Sequence, residues 1–73
     1  MNGGMARSGL FLKIGELIED KRIRKGWSQQ DLAARAGMKQ PDISKIEQGK
    51  KNITLETLGS LSKILGIKKI ELP

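Results

Sequence analysis

Apolar residues recur with the spacing of an α-helix over most of this chain. The first such stretch runs from Leu10 to Lys25, and Gly26 stands where a helix would end. Its apolar positions are Leu10, Ile14, Leu17, Ile18 and, less regularly, Phe11. This pattern predicts a first helix with one buried side.

A second, shorter helix is predicted up to about Ala36. Ser28 and Asp31 have the spacing of a capping box, in which the serine oxygen accepts from a helix amide and the acid favours the positive helix end. Gly37 can take the left-handed conformation that ends a helix, and Met38 then turns back to the core.

The third predicted helix is polar where it begins. It starts near Lys39 or Gln40, because Pro41 lacks only an amide that a first helical turn leaves unbonded anyway. It ends at Gly49.

Thr54 can cap a fourth helix that stops at Gly66. Its apolar stripe is Leu55, Leu58, Leu61, Ile64 and Leu65. The last residues, IKKIELP, fit a strand or a short fifth helix about equally well. Residues 1–9 are rich in glycine and small residues, which predicts a flexible arm or a partly non-native one. The sequence thus predicts a single all-α domain over residues 10–73, a compact bundle of four or five helices.

The residue types that are missing narrow the function. The chain has no cysteine, histidine or tyrosine, which removes thiolate metal sites and the usual base for a serine nucleophile. Glu19 and Asp20 would lie on different sides of a helix and cannot act as a pair. We therefore expect no catalytic residue, no metal site and no cofactor. Because the longest apolar run, Leu10 to Leu12, is far too short for a membrane span, we expect an intracellular, cytoplasmic protein.

The charge of the chain predicts a polyanionic partner. Its net charge is +6 and its pI is about 10.0, and the basic excess is concentrated between Lys21 and Lys51. A basic surface that only confers solubility would have the same composition, so charge alone does not name the partner.

Residues 28–48 have the pattern of a helix-turn-helix. Such a unit needs apolar residues where its helices meet, a small residue where they cross and usually a glycine at the turn. Ala33 is the small residue and Gly37 the turn. The apolar places are filled by Leu32, Ala36, Met38, Ile43 and Ile46.

Three stretches, RIRKGWSQQDLAARAG, ISKIEQGK and TLETLGSLSKILGI, resemble the lambda-repressor-like helix-turn-helix family. This family contains phage repressors, XRE-type bacterial regulators and many antitoxins, and the resemblance covers roughly residues 12–67. It implies a bundle of four or five helices, usually dimeric. It also implies that the third helix, here about residues 40–48, lies in the major groove of DNA.

The polar start of helix three, read with this resemblance, gives the base-reading candidates. We call them the reading face: Gln40, Pro41, Ser44 and Lys45. A glutamine can bond adenine through both ends of its amide, and a lysine can reach guanine or a phosphate. Pro41 departs from the many members with a polar residue there, because it cannot donate a hydrogen bond, although its ring could pack on a thymine methyl group. Asp42 is expected to favour the amino end of the helix.

Other residues are expected to grip the phosphate backbone, which positions a protein on DNA without reading sequence. They are Gln29, Gln48, Lys50, Lys51 and Asn52. The resemblance implies that Gln29 also braces Gln40; the simpler alternative is that these are ordinary solvated residues. Arg22 and Glu47 match positions that form a buried ion pair in several family members, and Trp27 is expected in the core rather than as a stacking platform.

The function predicted from the sequence is sequence-specific binding of double-stranded DNA by a transcriptional regulator, most simply a repressor. It would bind as a homodimer to two half-sites one helical turn apart. One alternative is an antitoxin that binds a toxin and represses their joint operon. Another is a protein-bridging module without specific DNA readout, which would have no reason to keep Gln29, Gln40 and Lys45.

Overall fold

The computed structural model describes the backbone of residues 3–68 and the side chains of residues 9–68. This part of the chain contains four helices and no strand. They are α1 (Gly3–Arg24), α2 (Gln29–Ala36), α3 (Gln40–Glu47) and α4 (Leu55–Leu65). Helices α1 and α2 each pack against both α3 and α4. The all-α bundle predicted from the sequence is therefore confirmed.

The helix bounds differ from the sequence prediction at two places. Helix α1 begins at Gly3 rather than at Leu10, so its backbone includes residues 3–9, which were predicted to precede the helix. The pattern missed this start because glycines and small residues carry no apolar period. Helix α3 ends at Glu47, before the predicted Gly49. The tail is predicted to form either a strand or a short fifth helix. Residues 69–73, on which this choice depends, lie outside the described residues.

The core is aliphatic and draws on all four helices. Its buried members are Ile14, Ile18, Leu32, Ala33, Ile43, Ile46, Leu61, Leu65 and Ile67. The prediction that Leu55 belongs to the apolar stripe of α4 is wrong, because its side chain is 86% exposed. Leu55 is the first residue of α4, and a helical side chain leans towards the amino end, beyond the part of α4 that faces the core. Leu10, placed on the apolar side of α1, is also exposed.

Local signals fix both ends of α2. The Ser28 side chain accepts from the Asp31 amide at 2.9 Å, and the Ser28 amide donates to the Asp31 carboxylate at 2.9 Å, so the predicted capping box is confirmed. These bonds from Ser28 lower the pKa of Asp31. The box therefore contributes stability above the unfolded pKa of an aspartate and loses it as the pH falls through the lowered value. Gly37 ends α2 with φ 66°, the left-handed conformation that its sequence position predicted.

A glycine lets α1 approach α3 closely. A Cβ atom on Gly15 would lie 2.7 Å from the carbonyl oxygen of Glu47, and closer still to that of Ile46. These are backbone atoms at the carboxyl end of α3, which cannot move aside as a flexible side chain would. Gly15 therefore sets the distance between the two helices.

We expect Gly15→Ala to destabilise the fold by about 1–3 kcal/mol, because the added methyl group overpacks this contact. Gly59→Ala is the matched control: Gly59 lies within α4, and a Cβ there would meet no atom within 4 Å. That change should stabilise the protein by about 0.5–1 kcal/mol through higher helix propensity. Urea unfolding followed by circular dichroism measures both. Equal stability of the two variants would contradict the role assigned to Gly15.

Candidate nucleic-acid interface

Helix α3 buries Ile43, Ile46 and Glu47 and leaves its other side chains exposed or half-buried. Ile43 and Ile46 are buried in the core, whereas Pro41 and Lys45 are exposed. The other two members of the reading face, Gln40 and Ser44, are half-buried. The helix starts at Gln40 with Pro41 in its first turn, as the sequence predicted, and no side chain caps it. The structure thus brings all four residues of the reading face to the outer side of one helix.

Gln40 is held in place by a residue of the neighbouring helix. Its Nε2 donates a hydrogen bond of 2.7 Å to Oε1 of Gln29, the first residue of α2. Both side chains are half-buried. The contact joins the starts of α2 and α3 and gives Gln40 a fixed partner inside the protein.

Gln29 in turn contacts a buried ion pair. Its Nε2 donates to Oε1 of Glu47 at 3.0 Å. Arg22 Nε and Nη2 donate to the two carboxylate oxygens of Glu47 at 2.7 and 3.0 Å, the two-pronged geometry that makes a strong pair. The side chain of Glu47 is 2% exposed and that of Arg22 is 10% exposed. We call the series Arg22, Glu47, Gln29 and Gln40 the hydrogen-bond chain.

The surroundings of Arg22 keep it charged. Its hydrogen bond with Glu47 raises the pKa of Arg22, outweighing the opposite effect of burial. Its Nη1 also donates to the carbonyl oxygen of Trp27 at 2.7 Å, which ties α1 to the loop before α2. The indole of Trp27 packs half-buried against the core, and the guanidinium of Arg35 lies 4.1 Å from its ring centre.

Four of the five residues predicted to contact phosphates lie at the end of α3 and in the loop that follows, and the fifth, Gln29, begins α2. Gln48 donates to the Ser44 hydroxyl at 2.8 Å, so it contacts a member of the reading face. Lys51 pairs with Asp42 in the first turn of α3 at 3.2 Å. Lys50 and Asn52 are exposed. Apart from Asp42 and the buried Glu47, the charged side chains of α3 and this loop are lysines, so the exposed surface here favours an anionic partner.

Within residues 3–68, no helix combines the length and apolar character needed to cross a membrane. No three acidic, histidine or cysteine side chains within the same residues lie close enough to hold a metal ion.

Comparison with known proteins gives this architecture a family. The helix-turn-helix family model matches residues 18–72. The chain belongs to the helix-turn-helix family. It is of the XRE or lambda-repressor-like type that its motifs predicted, a class of DNA-binding transcription regulators.

Relatives in two bacteria illustrate the family. The chain is 36% identical over 59 residues to the uncharacterized HTH-type transcriptional regulator y4dJ of Sinorhizobium fredii, covering 81% of this chain and 77% of that protein. It is 42% identical over 54 residues to the SPbeta prophage-derived regulator YonR of Bacillus subtilis, covering 74% of this chain and 50% of that protein. The chain thus spans most of the first relative and half of the second.

A solved structure has the same fold. The restriction-modification controller protein C.Esp1396I in its wild-type form superposes with a TM-score of 0.75 and is 32% identical. The match covers 81% of this chain and 78% of that one. The helix arrangement of this chain is therefore that of a solved helix-turn-helix regulator.

The buried pair predicts how stability responds to mutation. Arg22→Met leaves the Glu47 carboxylate buried without its cation, and we expect it to cost about 3–5 kcal/mol. Adding Glu47→Leu removes the stranded charge, so the double variant should recover most of the lost stability. Urea unfolding of both proteins tests this. If the double variant is no more stable than Arg22→Met, the loss does not come from the unpaired charge of Glu47. The hydrogen bonds and packing of the pair would then be what stabilises the fold.

Proposed function

We propose that this chain reads specific sequences of double-stranded DNA by placing α3 in the major groove, and that it regulates transcription, most simply as a repressor. The observation that carries the proposal is the position of Gln40. Its side chain is partly exposed at the start of α3 and donates a hydrogen bond to Gln29 of the neighbouring helix. A side chain that reads bases must be accessible, and it binds more tightly if it is already ordered. Gln40 meets both conditions.

The proposed roles within the reading face follow from side-chain chemistry. Gln40 bonds adenine through its amide, and Lys45 reaches guanine or a phosphate. Pro41 can contribute only apolar contact, to a thymine methyl group. Ser44 is the weakest candidate, because its hydroxyl already accepts a bond from Gln48.

The proposed phosphate contacts are Gln29, Gln48, Lys50, Lys51 and Asn52. Lys51 is paired with Asp42, but both side chains of this pair are partly exposed, and such pairs contribute little to stability. A DNA phosphate can therefore take over Lys51 at small cost. Gln29 would contact a phosphate while keeping its bond to Gln40.

We further propose that the protein binds as a homodimer, because a single eight-residue helix reads only a few base pairs. Two copies related by a two-fold axis would read half-sites about 34–36 Å apart. A toxin partner, as in an antitoxin, remains a second proposal; a role as a controller protein is a third, favoured by the fold shared with the restriction-modification controller.

The first test is selection of binding sites from random duplex DNA with the purified protein. We expect enrichment of a near-palindrome whose half-sites are one helical turn apart, with affinity that falls steeply as salt increases. A scrambled duplex of the same length is the control. Failure to enrich any sequence, with equal weak binding to all DNA, would reject sequence-specific readout and favour the bridging function.

Gln40→Ala tests base reading directly. On the selected site it should cost about 1–3 kcal/mol of binding free energy, and much less on the scrambled duplex, because the proposed DNA contact of Gln40 is to a base and not to a phosphate. Gln30→Ala is the matched control, since Gln30 is an exposed glutamine of α2 outside the proposed contacts. Equal losses on both DNA molecules would remove Gln40 from the reading face.

A further inference from the structure

We infer that Glu47 is a positioning residue for DNA recognition: through Gln29, its buried carboxylate fixes the orientation of the Gln40 side-chain amide, and so sets the base that Gln40 prefers. This inference rests on the proposed function and goes beyond the ion-pair role of Glu47. It gives a specificity role to a side chain that is itself 2% exposed and cannot touch DNA.

The carboxylate of Glu47 limits how the amide of Gln29 can be oriented. A glutamine amide has a donor end and an acceptor end of nearly the same shape, so its orientation depends on its partners. An ionised carboxylate only accepts hydrogen bonds. Both oxygens of the Glu47 carboxylate accept hydrogen bonds from Arg22, and Gln29 turns its NH2 group towards this carboxylate and donates to it.

The same constraint passes to the next residue. Once the NH2 group of Gln29 faces Glu47, its carbonyl oxygen faces Gln40, and Gln40 must donate to it. Gln40 therefore keeps its carbonyl oxygen and one N–H for other partners. Adenine presents one donor and one acceptor in the major groove, which this remaining pair matches. Without the carboxylate, the amides of Gln29 and Gln40 could both rotate by half a turn.

The test needs a protein that lacks the carboxylate but still folds. Arg22→Met with Glu47→Leu is suited to this, because an apolar pair of similar size can replace a buried ion pair. Ile43→Val is the matched control: it is a mild core change on the same helix that leaves the hydrogen-bond chain intact. Binding is measured to the selected site and to three duplexes that carry the other base pairs at the position read by Gln40.

We expect the unmodified protein and Ile43→Val to prefer one base pair at that position by about tenfold or more. The double variant should bind all four duplexes within about threefold of one another. Loss of stability alone would lower affinity for the four duplexes equally and leave their ratio unchanged. A double variant that folds and keeps the full preference would overturn the inference.

A second measurement uses the unmodified protein without DNA. If the hydrogen-bond chain holds Gln40, the side-chain amide of Gln40 should give a high NMR order parameter, and Gln30 serves as the exposed reference. A value below about 0.6, typical of a flexible group, would overturn the inference even if the double variant did not fold. A high value together with no base preference in the unmodified protein would instead reject the proposed function and, with it, the specificity role, while leaving the ordered chain in place.

Discussion

The buried pair of Arg22 and Glu47 is the interaction on which the candidate interface depends. Two charges removed from water are costly unless their hydrogen-bonding groups are also satisfied. Here Arg22 bonds both carboxylate oxygens and the carbonyl of Trp27, and Gln29 adds a further bond to Glu47. The pair therefore links α1, the loop before α2, α2 itself and α3 through one polar cluster. Such clusters are weak contributors to net stability, but they penalise any arrangement of the helices that leaves a charge unpaired.

The packing of α1 on α3 supports the same cluster from the apolar side. Gly15 brings α1 against the backbone of Ile46 and Glu47, in the last turn of the helix that carries the reading face. Helix α3 is only eight residues long, and isolated helices of that length are not stable in water. Its position and its very formation therefore depend on the bundle. Ile43 and Ile46 attach it to the core, and the pair fixes it relative to α1 and α2.

The features predicted most accurately from the sequence are those set by residues close together along the chain. The capping box of Ser28 and Asp31 and the turn at Gly37 involve neighbours along the chain, so their geometry follows from residue type and spacing. The prediction that Leu55 is buried was wrong, because periodicity indicates which side of a helix faces the core but not how far along the helix the neighbouring helices extend. The contact between Gln29 and Glu47 joins residues 18 positions apart, and nothing in their spacing indicates it. The pairing of Arg22 with Glu47 came from family resemblance and not from the pattern itself.

These features explain why a polar, uncapped helix start persists in a small domain. The side chain of Lys39 does not cap α3. The side-chain amide of Gln40 donates to Gln29 and not to a backbone group of the helix. A serine or aspartate at the cap would stabilise α3 by about 1 kcal/mol. The side-chain amides of Gln29 and Gln40 at this end are instead ordered from within the protein, by hydrogen bonds that lead to a buried acid. That arrangement adds little to folding, and its physical effect is to hold the Gln40 side-chain amide in one orientation.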